Sequence, residues 1–183
     1  MDSPPDGPAD IESEGLRVAG LCGWRIASLR HFDRAGAFVA EVESWLGAPL
    51  PGPLQAISCR PPGQEAAAIL AWRSPTETMM ICDQEKAFGE LEQRLAGSVD
   101  GSMVNQTGGF AIFQMQGRRC SELLQRIGAK TAIPSLGEAR GGRAGEVHAL
   151  TLSIRAGEFL MFIERSYAAH VAQWMRVSAS DLC

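Results

Sequence analysis

The chain has 183 residues, 45% of them hydrophobic and 21% charged, and a formal net charge of −4. That is apolar material for one good core or two small ones, and no net field that recommends nucleic acid as a partner. Five cysteines, odd in number and without a C-x-x-C pair, and three isolated histidines exclude a disulfide framework and the spacings of a structural zinc site.

The first stretch, "MDSPPDGPADIESEG", is acidic and proline-rich and has no base before Arg17. Such a composition predicts a disordered acidic tail over residues 1–15, with one folded domain over 16–183. Removing the tail's acids leaves the body near neutral, at about +1. No basic region followed by an apolar run opens the chain, so a cytoplasmic location is expected. Runs such as "EFLMFI" fall far short of the roughly 20 residues that cross a bilayer, so no membrane association is expected.

"WRIASLRHF" (24–32) alternates imperfectly and predicts a strand. In "RAGAFVAEVESWLG" (34–47), Phe38, Val42, Trp45 and Leu46 recur on one helical face, with Gly47 at the stop. Prolines break the chain at "APLPGPLQ". "AAAILAWRS" and "TMMICD" then predict two strands joined by a turn at Ser74 and Pro75. Over "QEKAFGELEQRLAG" the spacing of Phe88, Leu91 and Leu95 predicts a second helix, with Asp83 as N-cap and Gly97 as stop.

"SMVNQTGGFAIFQMQG" predicts two strand segments around "TGG", where paired glycines permit positive φ in a tight turn or bulge. "RRCSELLQRIG" places Cys120, Leu123, Leu124 and Ile127 on one helical face. In "EVHALTLSIR" the even-numbered residues His148, Leu150, Leu152 and Ile154 are the expected buried face, and "GEFLMFIE" is the last strand. Adjacent strand pairs mixed with helices favour an α+β fold with largely antiparallel pairing.

At the end of that strand stands "ERSYAAHVAQW". Ser166 falls between the apolar run 159–163 and a helical face of Tyr167, Val171, Trp174 and Met175, which suits an N-cap. A nucleophilic serine would need a positioned base and a G-x-S-x-G elbow, and the flanks carry no such elbow. Arg165 either pairs with a carboxylate inside the fold, the favoured reading, or points at another molecule. The glycines form neither G-x-G-x-x-G nor a P-loop, so no phosphate cradle is expected. Arg118, Arg119, Arg126, Lys130, Arg140 and Arg143 are offset locally only by Glu122 and Glu138. The set is either a solvated surface or a docking face for an acidic partner.

The order "RIASLRHF", "VESWLGAPLPGP", "AWRSPTET", "VNQTGGFAIFQMQG", "CSELLQRIG" and "FIERSYAAHVAQWM" resembles the gamma subunits of heterotetrameric sarcosine oxidase over residues 16–176. Those subunits are similar in fold to the folate-binding domain of glycine-cleavage aminomethyltransferase. The resemblance implies a non-catalytic accessory subunit, packed against larger subunits and chiefly the alpha subunit. FAD, FMN, NAD, tetrahydrofolate and zinc would belong to those partners, and none to this chain. The reaction served would be oxidative demethylation of sarcosine, its one-carbon unit passing to tetrahydrofolate or leaving as formaldehyde. Arg165, Ser166, Trp174, Arg140 and Arg143 are then the structural or docking candidates, with no catalytic or metal residue expected.

The departures bear on chemistry. Asn105, Gln106 and Thr107 stand where the aminomethyltransferase pattern has Asp, any residue, Ser. "QRIGAKTAIPSLG" holds no acid where those enzymes place one after the helix, and Thr78 replaces a usual tryptophan. The Lys, Gly, Cys, Tyr run of the iron–sulfur-maintenance relatives is missing. A stand-alone folate-binding or aminomethyltransferase-like one-carbon protein is the second reading, and an interaction module with an unrelated partner the third.

Overall fold

The computed structural model describes residues 10–128, 133–180 and 182. In chain order the elements are β1 (Ile11–Ser13), β2 (Leu16–Leu21), β3 (Arg25–His31), α1 (Ala37–Leu46), β4 (Ala56–Cys59), β5 (Ala68–Ser74), β6 (Glu77–Cys82) and α2 (Glu85–Leu95). They continue with β7 (Gly101–Asn105), β8 (Phe110–Gln116), α3 (Cys120–Arg126), β9 (Glu138–Ala144), β10 (Val147–Arg155), β11 (Glu158–Glu164), a 3₁₀ turn (Arg165–Tyr167) and α4 (Ala168–Ser180). Every strand pairing is antiparallel, within a sheet ordered β1-β2-β8-β11-β10-β9 and another ordered β4-β5-β6-β3-β7. The protein is α+β with antiparallel sheets, as the element pattern predicts. Close contacts group the chain into two compact units, one of Gly23–Gly108 and one of the segments that flank it.

In the Gly23–Gly108 unit, α1 and α2 cover one face of the five-stranded sheet. Phe38, Val42, Trp45 and Leu46 are buried, as their spacing predicts, against Leu29, Leu70 and Met80 of the strands. Complete burial of a side chain such as Phe38 contributes about 1.5–3 kcal/mol. Gly47 closes α1 at φ +66°, its N–H donating to the Glu43 carbonyl. At the other end Gly36 offers no capping side chain, and Asp100 supplies one from the α2–β7 loop, both carboxylate oxygens lying 3.2 Å from the Phe38 amide. The β5–β6 hairpin turns at Ser74 and Pro75 as expected, with Thr76 N–H donating to Ser74 Oγ at 3.3 Å.

Asp83 does not cap α2. Gln84 holds the cap position without a side-chain bond, while Asp83 Oδ1 accepts from the Ala67 amide at 2.8 Å. The carboxylate extends the β5–β6 ladder by one rung, so it is unavailable to the helix that follows. The two strands around "TGG" form no hairpin either. β7 pairs with β3 and β8 with β2 and β11, so the segment between them links two sheets, and Gly108 stays outside the left-handed region.

In the flanking unit, α3 and α4 cover one face of the six-stranded sheet through Leu123, Leu124, Val171 and Met175, against Phe113, Met115 and Met161. β10 is more fully buried on its odd-numbered side, where Ala149, Thr151 and Ser153 are closed to solvent; on the expected even-numbered side Leu152 is buried, Leu150 and Ile154 are half-buried and His148 is exposed. Register explains which side meets the helices. Ala149 lies opposite Ile163 and Thr151 opposite Met161, so β10 turns toward the helices whatever stands beside β11's large apolar side chains.

The expected tail needs correction at its end. Ile11–Ser13 pairs with Leu16–Val18, Gly15 turns the chain at φ +78°, and Ile11 packs on the core; residues 1–9 lie outside the described residues. No helix among the described residues is long and apolar enough to cross a membrane.

Candidate functional site

At the β11–α4 junction, Arg165 continues the β8 pairing through its backbone: its N–H donates to the Gly109 carbonyl at 2.9 Å. Its guanidinium donates to the Phe110 carbonyl at 3.2 Å. The chain then enters α4 through the 3₁₀ turn, capped at Glu164 with no side-chain bond, and Ala168 N–H donates to the Arg165 carbonyl. Ser166 therefore lies inside the turn and is exposed, and the capping role expected of it is not realised. The 3₁₀ turn closes its own backbone bond, so the hydroxyl is not required there.

Trp174 is tied to the rest of its unit. It meets His170 edge-on at 6.4 Å between ring centroids, and a Cβ on Gly145 would stand 3.2 Å from its Cγ. His170 Nε2 lies 3.0 Å from the Gly145 carbonyl, while Gly145 N–H donates to the Ile127 carbonyl at 2.7 Å. The indole thus holds α4 to the β9–β10 turn and the end of α3, with 44% of the residue still exposed.

The arginine set is largely neutralised. Arg118 pairs with Glu14 at 2.6 Å, Arg126 with Glu122 at 3.2 Å, Arg140 with Glu138 at 2.9 Å and Arg143 with Glu146 at 3.2 Å. The Arg140 hydrogen bond holds the Glu138 carboxyl below its ordinary range. Glu14 and Glu146 were not among the offsetting acids read from the sequence, the first because it is remote in the chain. Lys130 lies outside the described residues.

Asn105, Gln106 and Thr107 form a turn closed on itself. Asn105 Oδ1 accepts from Thr107 N–H at 3.0 Å and from Thr107 Oγ1 at 2.8 Å, and Thr107 Oγ1 accepts from the Ile26 amide at 3.1 Å. These bonds anchor the end of β7 to the start of β3. A neutral amide serves as well as a carboxylate in that geometry and brings no general base. Beside it, Gln106 Oε1 is buried with no hydrogen-bond partner among the described residues.

One polar cluster escaped the sequence reading. Ser28, fully buried on β3, donates to Glu77 Oε1 on β6; the same oxygen lies 3.2 Å from Arg73 Nη1 and 3.9 Å from Arg30 Nε. The alternation of "RIASLRH" puts Ser28 on the face of Ile26 and Arg30, which was the available signal. Ser28 is closed to solvent while the two arginines reach the surface, so this is a charge-assisted network with a buried hydroxyl end and not an exposed nucleophile.

Among the described residues no group of three or more His, Cys, Asp or Glu could hold a metal ion. Burial raises the Cys59 and Cys82 thiols and pushes Cys120 up to about 11, so these cysteines are held as thiols.

No protein-family model and no curated protein matches the sequence. Solved structures do match in fold. A chain of the heterotetrameric sarcosine oxidase from Corynebacterium sp. U-96 superposes with a TM-score of 0.75 at 14% identity, over 94% of this chain and 88% of that one. The glycine cleavage system aminomethyltransferase T from Bartonella henselae gives a TM-score of 0.66 at 15% identity, over 88% of this chain but 45% of the enzyme's. The protein therefore has a fold similar to those of sarcosine oxidase and aminomethyltransferase chains.

Proposed function

We propose that this chain is a non-catalytic accessory subunit, of the gamma type, in a sarcosine oxidase-like flavoenzyme complex. The observation that carries the proposal is the reciprocal fold match to a chain of a heterotetrameric sarcosine oxidase, which runs over most of both chains. The local chemistry agrees with it. Where the aminomethyltransferase pattern has an acid, Asn105 is a neutral residue whose side-chain oxygen already serves a turn. In this reading the larger subunits, chiefly the alpha subunit, carry the flavins, nicotinamide dinucleotide, folate and zinc, and oxidise sarcosine. This chain contributes packing surface.

The test is affinity purification of the tagged full chain from its native cell, with mass identification of bound chains and a visible absorption spectrum. Larger flavin-bearing chains in fixed stoichiometry are expected. Recovery of the chain without them overturns the proposal.

The buried, unpartnered Gln106 Oε1 favours a second reading, a folate-binding one-carbon protein, because an N–H group of a bound heterocycle would satisfy it. Calorimetric titration of the isolated chain with tetrahydrofolate separates the two. Saturable one-site binding by the chain alone selects the second reading, and absence of heat selects the first.

A further inference from the structure

Each sheet has two edges, and a strand edge is a row of unpaired N–H and C=O groups that proteins ordinarily guard. β1 is three residues long and flanked by acids. β9 carries Glu138, Arg140 and Arg143. β4 is four residues long, with Pro53 before it and Pro61 and Pro62 after it. β7, "GSMVN", has no charge and no proline, and no described strand pairs with its outer edge.

The register shows which groups that edge offers. Phe32 N–H donates to the Asp100 carbonyl and Gln106 N–H to the Ile26 carbonyl, so alternate residues of β3 (Ile26, Ser28, Arg30) bond toward β7. Ser28 and Arg30 lie opposite Val104 and Ser102. The backbone groups of Gly101, Met103 and Asn105 therefore point away from β3. At the Gly101 end stand Phe32, 81% exposed, and Val99, 94% exposed; Val104 on the strand itself is 37% exposed. A bare ladder matches another extended backbone, and the apolar side chains at its end supply anchors for that strand.

We infer that the β7 edge docks an extended, uncharged strand of a different polypeptide, which lengthens the five-stranded sheet by one strand and covers Phe32 and Val99. A second copy of this chain fits less well. Antiparallel pairing about Met103 would set each Gly101 opposite the other copy's Asn105, leaving Phe32 and Val99 against the polar Asn105–Thr107 turn. A foreign strand can place an apolar residue there. The identity of that polypeptide, a larger flavoenzyme subunit, rests on the accessory-subunit reading; the edge itself does not.

Amide hydrogen exchange of the full chain, alone and assembled with the chains that co-purify with it, tests the assignment. Exchange at Met103 and Asn105 should slow by about tenfold or more on assembly, with Ser102 and Val104 protected beforehand. Val104→Lys should weaken assembly roughly fivefold, the effect of one lost cross-strand pair. Phe32→Ser with Val99→Ser should weaken it about thirtyfold, as loss of a buried anchor does, and leave the melting of the isolated chain unchanged. Unprotected Met103 and Asn105 in a complex with flavin-bearing chains overturn the edge and leave the proposed function standing. Protection there by chains without flavin supports the edge and overturns that function. Protection of the chain alone, rising with concentration and accompanied by doubled mass, assigns the edge to a second copy and overturns the inference. A chain recovered with no partner and unprotected overturns both.

Discussion

Replacing Asp100 by alanine removes the carboxylate that caps α1 from 62 residues away in sequence. The loss has two parts. The Phe38 amide loses its acceptor, which costs about 1 kcal/mol at a helix N-terminus. The helix also loses a negative charge at its positive end, which adds about 0.3–1 kcal/mol. Gly36, the residue at the cap position, has no side chain to compensate. A total of about 1.5 kcal/mol, at about 2–4 °C per kcal/mol for a chain of this size, lowers Tm by about 3–6 °C. Asp100→Asn keeps an acceptor and loses the charge, so a fall of about 1–4 °C, smaller than alanine's, is expected. Thermal denaturation followed by circular dichroism reads both. Asp100→Ala melting within about 1 °C of the parent would refute the cap, as would Asp100→Asn falling as far as alanine. Gly101→Ala bounds the scale from above: its Cβ would enter the Phe38 ring and stand 2.8 Å from the Arg30 carbonyl oxygen, an overpacking cost of about 3 kcal/mol.

Burial, reinforced by Arg34, holds the His31 imidazole below its ordinary 6.5. The unfolded chain then binds the proton first, so stability is full above about pH 6.5 and declines as pH falls from there toward the folded pKa; His31→Gln should flatten that decline in Tm. Ser166→Ala should leave Tm within the shift of about 0.5 kcal/mol typical of exposed sites, since no cap is lost, and a fall several times larger would restore the capping role. Arg140→Glu with Arg143→Glu sets carboxylates beside Glu138 and Glu146, so Tm should fall at low salt and recover partly when Glu138→Arg is added. Asn105→Asp should melt with the parent, because either side chain accepts from Thr107, whereas Asn105→Ala should cost about 1 kcal/mol; equal melting of all three would show that the turn does not need the side chain.

What was legible in the sequence is what local pattern encodes. The α1 face at Phe38, Val42, Trp45 and Leu46 and its stop at Gly47 follow from a 3.6-residue period and a left-handed terminus. The β10 face does not, because Leu152 and Ala149 are both buried though they point to opposite sides. A strand buried on both faces loses the contrast that alternation relies on. Ile11–Ser13 was masked in the same way by its acidic surroundings, since the pairing that orders it is no property of its own composition. The Asp100 cap and the Glu14–Arg118 pair join residues far apart in the chain, and short-range reading has no access to either.

The candidate site follows the same division. Asn105 could be read from sequence as a neutral residue where the resembled pattern has an acid, and the structure adds what the position does here: its backbone task needs an oxygen acceptor and no charge. Chemistry and architecture separate at this residue. A scaffold whose turn is indifferent to the choice between acid and amide can give up a base without giving up its shape. In the accessory-subunit reading proposed above, such a chain acts through its surfaces. Four of the arginines that first suggested an electrostatic surface are occupied by neighbouring carboxylates. Charge therefore recommends no docking face as strongly as backbone does, and the unguarded edge of β7 offers hydrogen-bonding groups that side-chain composition alone could not reveal.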